Sequence, residues 1–386
     1  MWRTGYMAAS WIASAGITLM FIGGVASDCD DASPTCEAAV DDIMQGSAML
    51  QHSLAANAIA PRAVATYIWE KIPRFMGPNT FLDPKGCVLP VEAGRTARQA
   101  YAGVCFYGCT PDYFQAQILP WILHIRQVDL HRDILIALPP EEELEAEASA
   151  LQRAVERVNA VVGNIKMIYL DPVSIPQVLR SFMDSAQNCC GWKEMRALAL
   201  WAVEEYDTII KLDFDIKVLS PIEELFACNE AFVGARGPLS AVNGGMWVAR
   251  TNRSSFSDML QLLQTAKFDP VSGWNGIGPT MLKEGSPVSG LGEETLQGWL
   301  TYYWYVLNPI GKLVDAGVYD YQVCMDIAGL EPDQISDPTV RGCSSPSEAK
   351  IVHKEDVPVN QMVAASNERS RARWPELFAS RAGDGH

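Results

Sequence analysis

Basic residues are in deficit: 30 Lys and Arg stand against 46 Asp and Glu, a formal net charge of -16 over 386 residues. So acidic a chain repels phosphate backbones, which excludes nucleic acid as a partner. A phosphate-bearing small ligand then needs local compensation, from a metal ion or a few placed cations. No internal repeat or low-complexity tract is present, and 48% apolar with 20% charged residues gives a large core rather than a disordered chain. No spacing among the ten cysteines makes a zinc site. Their even count suits disulfides in an oxidising compartment. Cys105 and Cys109, four apart across a strand end, and the adjacent Cys189 and Cys190 are candidate partners. Connectivity is not readable from the sequence, and buried free thiols are the alternative for several of them.

Charge is also missing from Tyr6 to Val25, just after Arg3. With the small residues Val25-Ala26-Ser27 behind it, this run reads as a signal peptide or an uncleaved signal-anchor over residues 1–27. A helix of the mature fold is the third reading. Either of the first two sends the rest of the chain into the secretory pathway, to the Golgi lumen or outside the cell. Membrane contact is then expected only through this segment. Asn252-Arg253-Ser254 is the one glycosylation sequon.

Residues 28–96 mix Asp, Ala, Pro and Gly and read as a stem or N-terminal extension. From Tyr101 the pattern alternates between strand and helix. Tyr101–Tyr107, Asp133–Leu138, Lys166–Leu170 and Thr208–Leu212 are the expected strands, with helices over 113–126, 141–162 and 193–205 between them. This order predicts an α/β domain over residues 97–365 with a mostly parallel central sheet and helices on both faces. Residues 242–248 and 350–353 supply further candidate strands, and 366–386 read as a C-terminal tail.

Asp213 and Asp215 follow the buried strand Thr208–Leu212 at positions i and i+2. Ligands of open α/β sheets sit at the carboxyl ends of strands, so two carboxylates there are placed to hold an ion. An oxygen-rich site with few protein ligands suits Mg²⁺ or Mn²⁺, with phosphate oxygens and water completing the shell. The plain alternative is a solvated acidic turn ending a strand.

The stretch from Tyr206 to Phe226, which contains Asp213-Phe214-Asp215, resembles the metal-binding segment of glycosyltransferase family 8, the family of glycogenin and galactinol synthase. Four further segments follow in the family's order. Tyr101–Leu119 is similar to its first strand and nucleotide loop, which implies Tyr107 and Tyr113 at the nucleotide, with Tyr113 stacking on uracil. Asn243-Gly244-Gly245 is similar to a strand lying against the donor sugar, and Gln297-Gly298 to a Gln-Gly segment of the active site. Ile351-Val352-His353-Lys354 is similar to a late strand whose histidine is the third metal ligand. The resemblance thus implies a GT-A type nucleotide-diphospho-sugar transferase fold, with Asp213, Asp215 and His353 as metal ligands. It further implies Asn243, Gly244, Gly298 and Lys354 at a UDP-sugar, and transfer with retention to a glycan, polyol or protein acceptor. Other readings of single residues remain: a core aromatic for Tyr113, a turn residue for Asn243, a buried or surface histidine for His353.

Two positions depart from the family. Its lysine on the helix before the metal motif has Ala197 as counterpart, with Lys193 and Arg196 the nearest replacements. The aspartate of its Asp-Gln-Gly segment is replaced by Leu296, with Glu293 and Glu294 just upstream. Lys193, Glu293, Glu294 and Gln297 are therefore the candidate catalytic groups. A nucleotidyltransferase using the same carboxylates is one rival, although Gly108–Asp112 carries no cation for a phosphate loop. A catalytically degenerate lumenal sugar-nucleotide-binding protein is the other.

Overall fold

The computed structural model describes residues 80–88, 97–106, 109–140, 148–185, 191–237, 242–269, 273–276, 295–321, 324, 342–343, 346–353 and 360–379. The strands are β1 (Gln99–Val104), β2 (Asp133–Leu138), β3 (Ile165–Tyr169), β4 (Thr208–Leu212), β5 (Ile216–Val218), β6 (Phe232–Gly234), β7 (Met246–Arg250), the short pair β8 (Phe268–Asp269) and β9 (Gly273–Trp274), β10 (Lys312–Leu313) and β11 (Ile351–His353). Seven of them form one sheet in the order β10-β6-β7-β4-β1-β2-β3. β1, β2 and β4 are buried along almost their whole length, as continuous apolar runs in a parallel sheet must be. β7 alone runs against its neighbours β4 and β6. The α/β class and the mostly parallel sheet expected from the sequence are what the chain forms.

Helices cover both faces. One apolar layer joins α1 (Leu119–Val128) and α2 (Ala148–Val162) to Ile134, Ile136, Ile210 and Leu212 of the sheet. The other joins α3 (Gln177–Ser185), a 3₁₀ helix (Gly191–Ala202), α4 (Arg253–Leu263) and α5 (Leu296–Thr301) to Ala102, Ile209 and Trp247. The period-two alternation of β4 therefore sends Ile209 to the second layer and Ile210 with Leu212 to the first. Trp247 is packing, as its sequence context suggests: it stacks on Trp201 with centroids 4.6 Å apart.

Several boundaries differ from the sequence reading. α1 is entered through a turn at Pro111–Tyr113 and a π-helical turn at Phe114–Ile118, with Thr110 Oγ1 capping the Tyr113 N–H at 3.1 Å. Helix expected over 193–205 is 3₁₀ and ends at Ala202. The expected strand over 242–248 begins only at Met246, because Asn243 to Gly245 turn the chain. Residues 80–88, assigned above to the stem, join the sheet edge through the bridge of Phe81 to Leu313 and the disulfide Cys87–Cys228. The boundary drawn at 365/366 falls inside α6 (Asn360–Arg373), whose buried Ser366 bonds His124 Nδ1 at 2.8 Å. Cys105–Cys109 and Cys324–Cys343 are also paired, whereas Cys189 and Cys190 lie outside the described residues, as do 1–27 and 141–147. Among the described residues no helix is long and apolar enough to cross a membrane.

Candidate metal centre and its surroundings

β4 ends at Leu212, and the next three residues turn into β5, with the Ile216 N–H donating to the Asp213 carbonyl at 3.0 Å. That turn presents Asp213 and Asp215. β5 pairs antiparallel with β11 so that His353 lies opposite Ile216. One ligand atom each from Asp213, Asp215 and His353 lies within 4.8 Å of the other two. The histidine comes from 138 residues further along the chain (353 minus 215), and the β5–β11 ladder brings it here.

His353 is buried, with Nε2 at 3.3 Å from Asp215 Oδ1 and Nδ1 at 3.5 Å from the fully buried Asp320 Oδ1. Asn243 Nδ2 lies 3.3 Å from the same Nδ1. The two neighbours ask for opposite tautomers: Asn243 Nδ2 can only donate toward Nδ1, whereas a proton on Nδ1 would face Asp320. Burial opposes charge on this imidazole, but Asp320 and then Asp215 outweigh that opposition and raise its pKa to about 10.

Two carboxylates and an imidazole make a mixed O/N donor set that fits a divalent metal ion. Gly245 shows the site to be tightly built. A Cβ there would stand 2.5 Å from His353 Cε1 and 2.9 Å from Asp213 Oδ2. The turn itself is held by Asn243 Oδ1, which accepts the Gly245 N–H at 2.7 Å, and by the Asp213 N–H, which donates to the Gly245 carbonyl at 2.9 Å. The turn reading of Asn243 is what the chain forms, and its Nδ2 also lies against the histidine. A Cβ on Gly244 would meet Gln297 Cγ at 2.8 Å, which puts Gln297 against this turn, with Gly298 following it in α5.

Tyr113 is not a core aromatic: it is 42% exposed and meets the Phe214 ring edge-on at 6.1 Å. Phe214 in turn occupies the space above Gly103, where a Cβ would lie 2.2 Å from the ring. Tyr107, Glu293, Glu294 and Lys354 lie outside the described residues. Lys193 is half-buried in the first turn of the 3₁₀ helix, and Ala197 is fully buried in the apolar layer. Arg196 donates to the Phe106 carbonyl at 2.7 Å, at the mouth of the loop after β1.

Two residues absent from the sequence reading touch the centre. Asp320 carries no sequence signal, since nothing in its spacing ties it to His353. Lys211 does: it is the one charge in the apolar run Thr208–Leu212, and such a charge needs a buried partner. Its Nζ is paired with Asp213 Oδ1 and donates to the Gly244 carbonyl at 2.6 Å.

No protein-family model and no curated protein sequence matches this chain. Among solved structures, the glycosyltransferase GlyE of Streptococcus pneumoniae TIGR4 aligns at 12% identity over 74% of this chain and 63% of its own, with a TM-score of 0.41. Its apo form gives 13%, 74%, 64% and 0.42. The chain thus spans less than two thirds of the length of GlyE. An active-site mutant of LgtC aligns at 12% identity over 72% of this chain and 99% of its own, with a TM-score of 0.41.

Proposed function

We propose that this chain is a metal-dependent glycosyltransferase of GT-A type that takes its sugar from a UDP-sugar. The observation that carries the proposal is the convergence of Asp213, Asp215 and His353 at the carboxyl end of β4, from a turn and a distant strand that share no local reason to meet. Sequence order supports it, since the segments around these residues are the ones that resemble family 8. Mn²⁺, or Mg²⁺ in its place, would be held by the three side chains and would stabilise the departing diphosphate.

The remaining work falls to the chain. Asp320 and Asn243 orient the imidazole, and Gly245 leaves room for it beside Asp213. Gly244 and Gln297 face the donor sugar, and Tyr113, with its exposed ring, covers the base. Among the described residues no side chain is placed as a covalent nucleophile, and retention would follow from acceptor attack on the face the diphosphate leaves, aided by preorganised charge. The acceptor is a glycan, polyol or protein. Three disulfides among the described residues support a secretory lumen, the Golgi or beyond, as the place of action.

Calorimetric titration tests this directly. Wild-type protein should bind Mn²⁺, bind UDP more tightly with Mn²⁺ than without, and release UDP from one of a panel of UDP-sugars. Asp213→Asn and His353→Ala should each weaken Mn²⁺ binding by about 100-fold or more, the upper range for losses at ligand shells. UDP binding that is equal with and without Mn²⁺ would rule the reading out.

A further inference from the structure

Lys211 is 1% exposed, in the middle of a buried strand. An ammonium in such a place is costly unless its donors are used and its charge is matched. Groups of the metal centre match its charge and take two of its hydrogens. Asp213 Oδ1 takes the charge, and the Gly244 carbonyl takes a second hydrogen at 2.6 Å. The Phe106 ring, 5.5 Å from Nζ, covers the ammonium on a further side. Pairing at Oδ1 leaves Oδ2 of Asp213 toward Gly245 and the His353 ring. The ammonium therefore stands one carboxylate away from any ion that Asp213 holds.

We propose that Lys211 is a fixed counter-cation of this centre: it aims Asp213 and adds one positive charge, so that a divalent ion is held weakly alone and firmly together with a diphosphate. Like charges repel across the shared carboxylate, which loosens the ion. An incoming diphosphate is attracted by both, which tightens the ternary state. Lys211 is accordingly a positioning residue and not a catalytic one, and the inference rests on the metal and diphosphate reading given above.

The two effects have opposite signs, and a merely structural lysine would not produce that. In Lys211→Met, which keeps the length and removes the charge, calorimetry should find Mn²⁺ alone bound about tenfold more tightly, and UDP at saturating Mn²⁺ about tenfold more weakly. Lys211→Gln, which can still donate to Gly244, should shift both constants in the same directions. Weakening of both constants, or no change in UDP binding, overturns the proposal. Failure of both variants to fold, read by thermal unfolding, makes Lys211 a structural ion-pair residue and overturns it equally. If wild-type protein binds no Mn²⁺, the metal reading falls and takes this inference with it; wild-type binding with both constants weakened in the variants removes this inference alone.

Discussion

At the scale of single residues, the proposed centre would depend on groups that never touch an ion. Asp320 is fully buried behind His353, 3.5 Å from the ring nitrogen that faces away from Asp215. A metal ion on Nε2 needs the ring proton on Nδ1, and Asp320→Asn keeps the shape but can offer an N–H where that proton needs an acceptor. Mn²⁺ affinity should fall by about 10- to 100-fold, as expected for loss of an outer-shell partner, with the melting temperature little changed. Titration of the purified variant, with circular dichroism to confirm its fold, checks both halves. An affinity equal to that of wild type would remove Asp320 from the site.

At the scale of elements, α4 offers a clean case. Its cap is Asn252, whose Oδ1 accepts the N–H groups of Ser254 at 2.8 Å and Ser255 at 3.3 Å. The same asparagine begins the sequon. Asn252→Ala should therefore cost about 1 kcal/mol of stability, a typical value for a lost helix cap. Ser254→Ala abolishes the sequon but keeps the cap, so urea denaturation should separate the two variants. Elements of this kind also mark how far the sequence could be read. β2 and β4 were legible to the residue, since buried parallel strands are unbroken apolar runs that a charge or proline stops sharply. β5, β6 and β10 were not, because runs of two or three residues carry no period. The apolar Val242, Met246 and Val248 make 242–248 look like one strand, yet the chain turns at Asn243, whose Oδ1 accepts the Gly245 N–H, and close neighbours leave no room for a Cβ on Gly244 or Gly245. The aspartates of the centre could be located because a strand end announces them. The approach of His353 was inferred from family order alone, and Asp320 depended on tertiary packing that no local pattern encodes.

At the scale of the whole molecule, the disulfide Cys87–Cys228 closes a ring with a sequence separation of 141. Inside that ring lie β1 to β5, and with them Asp213 and Asp215. Outside it lie Asn243, Asp320 and His353. When the chain is stretched by its two ends, tension travels through the sulfurs and bypasses everything between them. The aspartate half of the centre is mechanically shielded, and the histidine half is on the loaded path. Single-molecule extension should show this: under oxidising conditions the Cys87–Cys228 ring alone should make the fully extended chain shorter by about 500 Å than after reduction, at roughly 3.3–3.6 Å per residue released. Equal lengths before and after reduction would mean that the bond does not form. For a protein tethered by its N-terminal side, a tug would load His353 and β11 directly, and leave the strand that carries the two aspartates unloaded.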